Sequence, residues 1–319
     1  MLELAAANLL SPMVLFFVLG LIAALARVDL SFPEAIAKGL ALYLIVAIGF
    51  KGGASLAGHG LDAGLVLALL AGFLLSALLP VIAFALLRLT TALPAVEAAA
   101  VAAHYGSISI VTFVAATQAV TSLGLTFEGY MVAVAAVMEA PAIVTALILA
   151  RRGGGASDGE TDWREVALNS SIVLLGGAFA IGVITGEEGL ATVAPFMIDP
   201  FQGVLCLFLL DMGLVAGRGL VANARFLGPR VVAFGCYMPL VSALITALFV
   251  PFIGLSPGGA ALLITLSASA SYIAVPAAMR LALPEARPSI YLTLSLGVTF
   301  PFNLTVGIPL YVALGGWFT

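Results

Sequence analysis

Charge is scarce in this sequence. Of its 319 residues, 12 are Lys or Arg and 16 are Asp or Glu, 9% together. A soluble domain carries about 25% charged residues, so too few are available to cover a water-exposed surface of ordinary size. Histidine and cysteine are rarer still. Two histidines, His59 and His104, and two cysteines, Cys206 and Cys236, offer no metal-ligand spacing and no nucleophile–base constellation. No nucleotide-binding glycine loop occurs either, so the sequence does not read as an enzyme. Both cysteines fall inside long apolar runs and read as buried, inert thiols. The net charge of −4 leaves no basic face for nucleic acid. The opening Met1-Leu2-Glu3 lacks a basic segment, so the first apolar run reads as a helix and not as a cleaved signal peptide.

Long hydrophobic runs take the place of charge. Hydrophobic residues make up 63% of the chain, and the mean hydropathy is +1.22. Ten apolar stretches follow one another, at 10–28, 35–57, 63–88, 96–121, 128–150, 165–186, 200–221, 229–253, 257–280 and 287–317. A helix of about 20 residues crosses a ~30 Å hydrocarbon core. Within lipid every backbone polar group needs an internal partner, which leaves helices or closed barrels. None of the stretches alternates with period two, so helices are expected. The expected fold is an all-α polytopic protein of ten transmembrane helices in a lipid bilayer. Arg27, Lys38, Arg88, Arg151, Arg152, Arg164, Arg218, Arg225, Arg230, Arg280 and Arg287 fall at the loops of one side, and only Lys51 falls on the other. Basic residues stay in the cytoplasm, so both termini are expected outside it.

The longest polar segment, Arg151 to Arg164, reads as a flexible cytoplasmic linker of glycines and charges. It divides the chain into halves of five helices each, 1–150 and 165–319. The halves resemble one another at a nearly constant offset. Gly20 and Pro33 meet Gly182 and Pro195 at 162. Gly39, Gly49, Gly53, Leu56, Ser107 and Val111 meet Gly203, Gly213, Gly217, Leu220, Ser271 and Val275 at 164. Pro141 and Thr145 meet Pro301 and Thr305 at 160. An odd number of spans per unit inserts the second copy upside down. Inverted repeats with broken helices at the midplane are an architecture of secondary transporters.

In that architecture the substrate sits where paired discontinuous helices end. The fourth span contains His104-Tyr105-Gly106-Ser107-Ile108-Ser109-Ile110-Val111-Thr112, and the ninth contains Ser267-Ala268-Ser269-Ala270-Ser271-Tyr272-Ile273-Ala274-Val275-Pro276. Small hydroxyl residues either let helices pack closely or satisfy backbone groups released at a break. Two such clusters at repeat-equivalent places favour the second role. Each helix N-terminus carries about half a positive charge, so two converging ends suit one small monovalent anion. Hydroxyl and carbonyl oxygens at the same breaks suit an alkali cation. Two acids, Glu139 and Asp211, lie deep in predicted spans, where an acid normally faces a cavity or a partner. Glu139, before Pro141, is the better candidate for ion coordination or proton carriage, and Asn303 lies beside the repeat-equivalent Pro301. His104 reads as a hydrogen-bonded helix histidine, and Lys51 as a residue that extends to the interface.

Taken together these residues resemble the sodium-dependent bicarbonate transporter family, the SbtA-like permeases, over nearly the whole chain. The resemblance rests on Ser11-Pro12, Pro33-Glu34-Ala35-Ile36, Gly106-x-x-Ser109 with Thr112, and Glu139-Ala140-Pro141-Ala142-Ile143-Val144-Thr145-Ala146. It continues in the serine cluster 267–271, Arg280 and Pro288-Ser289-x-Tyr291. It implies a homotrimer whose core domain moves against a gate domain in a bacterial inner membrane. It implies bicarbonate facing Gly106, Ser107 and Ser109 on one side and Ala270, Ser271 and the adjoining Tyr272 on the other. Sodium, the coupling ion, would use Thr112, Glu139, Ser269 and Asn303, with no other cofactor. A PII-like cytoplasmic regulator is a further implied partner. The family pattern has Asp in place of Glu139 and of Tyr272, and a hydroxyl–glycine pair in place of Ala274-Val275. The expected function is sodium-coupled symport of a small monovalent anion, bicarbonate first. The rivals are proton-coupled transport of a small organic anion and a passive anion channel.

Overall fold

The computed structural model describes residues 10–58, 63–152, 170–223, 227–272, 275, 276, 279, 283 and 285–319. Helices are α1 (Pro12–Leu25), α2 (Glu34–Ala57), α3 (Ala63–Thr90), α4 (Ala95–Gly106), α5 (Ile110–Ser122), α6 (Met131–Val137) and α7 (Ala140–Arg152). The second half supplies α8 (Ser170–Met197), α9 (Phe201–Asn223), α10 (Pro229–Phe249), α11 (Pro257–Ala268) and α12 (Pro288–Phe318). The linker 151–164 lies outside the described residues except for Arg151 and Arg152.

Helix starts follow local chemistry. Ser11 caps α1 by accepting from Val14 N at 3.4 Å, and Ser256 caps α11 by accepting from Gly259 N at 3.2 Å. In each case proline follows at the first helical position, where its missing N–H costs nothing. Within α12, Pro301 and Pro309 each lack a ladder donor. The helix widens into π turns at Ser295–Thr299 and Asn303–Gly307, which carry the ladder past those gaps.

Among the described residues, eight helical stretches are long and apolar enough to cross a membrane, counting α4–α5 and α6–α7 as one each. Helices α1 and α11 are apolar but shorter. The expected first span is thus trimmed to Pro12–Leu25, because Arg27 takes φ 59° and turns the chain. The ninth helical run stops at Ala268, and Ser269 leaves in extended geometry. The sixth span departs most from expectation. It does not end at 186; helix resumes past Gly186 (φ 63°, ψ −158°) and runs to Met197. Most of the stretch between the expected sixth and seventh spans is therefore helical. Gly186 supplies the left-handed bend that turns it into a second helical piece.

The helices sort into two groups. α1 packs along α9, α2 packs along α8, and α9 touches α2, which makes one group. The other contains α3, α4, α5, α7, α10, α11 and α12, with α11 against α5 and α12. Contacts between the groups run through α6 to α2 and α8, and from α12 to α9.

Glycine lets the first group approach backbone to backbone. A Cβ on Gly20 would meet the Leu210 carbonyl, and one on Gly213 the Phe17 carbonyl. Across the other pair, a Cβ on Gly53 would meet the Phe179 carbonyl and one on Gly182 the Phe50 carbonyl. Such contact is the usual use of small residues between membrane helices.

Candidate functional site

Both serine-rich segments are breaks. α4 ends at Gly106, Ser107 is extended (φ −90°, ψ 160°), and α5 starts behind Ser109. α11 ends at Ala268, and Ser269 is extended (φ −86°, ψ 168°). Beyond Tyr272 the described residues Val275, Pro276 and Met279 are helical. Gly106 is glycine for packing reasons: a Cβ would strike the Pro80 ring of α3 and come within 2.9 Å of the Ala142 methyl of α7.

The two breaks touch. Ser271 N donates to the His104 carbonyl at 2.8 Å, and Ser109 N donates to Ser269 Oγ at 2.8 Å. Ser269 Oγ in turn donates to Leu266 O at 2.8 Å. Ser109 Oγ accepts from Thr112 N at 3.2 Å and from Thr112 Oγ1 at 2.9 Å. The Tyr272 hydroxyl lies beside the Ser109 side chain without a hydrogen bond of regular geometry. Ser109, Thr112, Ser269 and Tyr272 thus form one hydroxyl cluster at the crossing, all buried. Ala270 and Ser271 are buried beside it.

Glu139 belongs to a neighbouring group. The fifth span is itself interrupted, with turn geometry at Met138 and Glu139 between α6 and α7. Pro141 withholds the N–H that would have bonded Val137 O. Ser76 of α3 holds the Met138 carbonyl at 2.6 Å. The buried Glu139 carboxylate accepts from Ser107 Oγ at 3.1 Å. Its partner is therefore a residue expected to face the anion, and not the expected sodium ligand Thr112.

Asn303 also ties down a break. Its Nδ2 donates to Ala268 O at 2.9 Å, and its Oδ1 accepts from the Tyr311 hydroxyl at 2.7 Å. Both ends of the amide are engaged. His104 is wholly buried, with Nδ1 against the Ala100 carbonyl at 2.7 Å and its ring stacked on Tyr291 at 4.5 Å. A carbonyl accepts only, so Nδ1 carries a proton, and Nε2 has no hydrogen-bond partner among the described residues. Asp211 is buried in α9, in the other helix group.

Residues that sequence reasoning did not single out complete the frame. The Tyr105 hydroxyl donates to Thr299 Oγ1 at 2.5 Å, and Thr299 donates to Gly235 O at 2.8 Å, joining α4, α12 and α10. Thr299 spends its single proton on the carbonyl, which fixes that direction. Glu97 of α4 holds Arg287 ahead of α12, through Nε at 2.7 Å and the backbone N at 3.2 and 3.3 Å. Glu128, ahead of α6, accepts from Ser256 N at 2.7 Å at the start of α11. Among the described residues no cluster of three or more His, Cys, Asp or Glu forms.

A buried crossing of two interrupted helices, lined by hydroxyls and one carboxylate among apolar helices, defines a multi-pass membrane protein with a small polar site at its centre. The chain belongs to the Na+-dependent bicarbonate transporter superfamily, whose family model matches residues 12–315. No curated protein is similar enough in sequence to match.

Proposed function

We propose that this protein is a symporter that carries a small monovalent anion, bicarbonate first, with sodium by alternating access. The crossing of the two breaks carries this reading. Ser271 N on the His104 carbonyl and Ser109 N on Ser269 Oγ place both hydroxyl-rich segments around one buried centre. The α5 N-terminus lies at that centre, and a helix N-terminus favours an anion. Ser109, Thr112 and Ser269 supply neutral oxygens of the kind an alkali cation takes. Gly106, Ser107, Ala270, Ser271 and Tyr272 form the walls on the anion side.

Glu139 supplies the negative charge for sodium, and Ser107 connects the two ions. Its hydroxyl has one proton, which it gives either to Glu139, as here, or to an anion. An arriving anion that takes that proton leaves the carboxylate short of a donor, and sodium then compensates it. Binding of each ion thereby favours the other, as linkage requires.

The architecture is read as two inverted five-helix repeats, 1–150 and 165–319, with ten spans and the linker 151–164 in the cytoplasm. Several pairings support it. Repeat-equivalent Gly20 and Gly182 both meet a partner helix backbone, while Gly39 and Gly203 both face open space. Glu139 and Asn303, 164 apart, tether the two breaks. The Glu97–Arg287 and Glu128–Ser256 contacts join equivalent helix starts. The group of α1, α2, α8 and α9 is the gate, and the other group is the core. Family membership extends the proposal to a homotrimer in a bacterial inner membrane, both termini outside, with a PII-like cytoplasmic regulator.

Uptake of labelled bicarbonate into proteoliposomes tests the function. An inward sodium gradient is expected to drive accumulation, and its removal to abolish it. Accumulation driven equally well without sodium sinks the proposal.

A further inference from the structure

A cavity of about 160 Å³ lies between the two helix groups, lined by Lys51 and Ser55 of α2, Phe113, Val114 and Thr117 of α5, and Phe201 of α9 among others. It stands apart from the crossing yet close to it. Phe113 N bonds to Ser109 O at 3.0 Å, so the cavity floor is one helical turn from the Ser109 cap. Phe113 and Val114, which line the cavity, are buried.

Lys51 is the one basic residue that the sequence places on the face opposite the arginine-rich loops. It makes no ion pair with any described residue. Position 215, its counterpart 164 residues on, is valine. The cation is therefore not a requirement of the helix-pair architecture that the two halves share. A lysine that only reaches for the lipid interface would point its stem at lipid. This one lines a space between the two helix groups, and Thr117 lines the same space.

We propose that this cavity is the outer entry subsite for the transported anion, and that Lys51 draws a small hydrated oxyanion into it before Phe113 gives way. The inference rests on the anion-transport reading above. A single ammonium at a narrow, low-dielectric mouth raises the local anion concentration. With no second cation among the cavity residues, the hold is weak enough to release the anion inward. Lys51 is a positioning residue and takes no part in the central site.

The test reads charge steering directly. Thr117→Cys is made in a chain with Cys206→Ala and Cys236→Ala, reconstituted in neutral-lipid nanodiscs or in sealed vesicles. Impermeant thiol reagents of equal size, one a sulfonate and one a quaternary ammonium, are applied from the outer face. The ratio of anionic to cationic labelling rates is expected to fall roughly fivefold on Lys51→Gln in low salt, the ratio for one charge about 8 Å away in water. Lys51→Arg is expected to restore it, and high salt to flatten it. The apparent KM for the anion is expected to rise about twofold in Lys51→Gln at low salt, with a smaller change in maximal rate. An unchanged labelling ratio, no labelling from outside, or a shift seen only with anionic lipids, which would assign Lys51 to a headgroup, overturns the proposal. Labelling needs no transport, so a shifted ratio in a protein that takes up no bicarbonate upholds the subsite and sinks the substrate instead.

Discussion

The two breaks differ in what holds them. The first is tied by a carboxylate, Glu139 receiving the Ser107 hydroxyl; the second is tied by an amide, Asn303 donating to the Ala268 carbonyl. A carboxylate accepts only and carries charge, whereas the amide uses its donor on one side and its acceptor on Tyr311. The amide tether is neutral and bonded at both its nitrogen and its oxygen. The acid tether keeps free lone pairs and needs a countercharge. On the proposed reading the first half supplies the charged group at the crossing, and the second half supplies a neutral tether.

The largest expected effect comes from filling the breaks. Ser107 and Ser271 are buried, and a leucine at either would occupy the space an anion needs. Ser107→Leu and Ser271→Leu are each expected to lower bicarbonate uptake by roughly 100-fold, since overpacking and a misplaced site compound. Ser107→Ala and Ser271→Ala keep the packing and remove only the hydroxyl. Ser107→Ala is expected to weaken the mutual enhancement of sodium and anion binding, which titrations of each ion at several levels of the other would read. Near-normal uptake in both leucine variants would make the serines packing residues and dissolve the comparison.

Sodium dependence sharpens it further. Glu139→Gln preserves shape and an acceptor for Ser107 while deleting the charge. The sodium concentration for half-maximal uptake is expected to rise about tenfold, about 1.4 kcal/mol, with any dependence on a proton gradient unaltered. Asn303→Ala in the neutral tether is expected to cost stability instead and leave that concentration within about twofold. If Glu139→Gln uncouples uptake from pH while sodium never matters, the acid carries protons.

Much of this was legible in the residues, for physical reasons that differ by element. Glycine, serine and proline at mid-span announce breaks because each weakens a helix locally, so Gly106–Ser109, Ser267–Ser271 and Glu139–Pro141 could be found without a structure. Partners could not. Ser107 and Glu139 are 32 residues apart, and Ser109 and Ser269 are 160 apart. Their meeting depends on how whole helices pack, which no local pattern encodes. That is why the hydrogen bond from Ser107 to Glu139 could not be read from either segment alone. The helical piece after Gly186 lay between the expected spans. The roles of Glu97 and Glu128 were hidden too, since each acts on a helix start in the opposite half of the chain.

The smallest expected effect concerns the glycines that join α1, α2, α8 and α9. Gly53 and Gly182 lie where α2 and α8 touch, and a methyl group on either would enter the carbonyl of the facing helix. Gly39 and Gly203 stand on α2 and α9, with nothing within 4 Å of a Cβ. Alanine at a crowded position forces the helices apart at a cost of ~1–3 kcal/mol. At an open position alanine only removes the flexibility of glycine, which is neutral or slightly favourable in a helix. Gly53→Ala and Gly182→Ala are therefore each expected to lower the apparent melting temperature by roughly 2–10 °C, measured in detergent by fluorescence. Gly39→Ala and Gly203→Ala are expected to leave it within about 1 °C or raise it slightly. Equal losses at the crowded pair would show both sides of the α2–α8 contact to be equally tight. A loss at Gly53 without one at Gly182 would mean that one side of the α2–α8 contact yields more readily than the other. A loss at Gly182 without one at its counterpart Gly20, which meets the Leu210 carbonyl, would take from the inverted-repeat reading its support from packing.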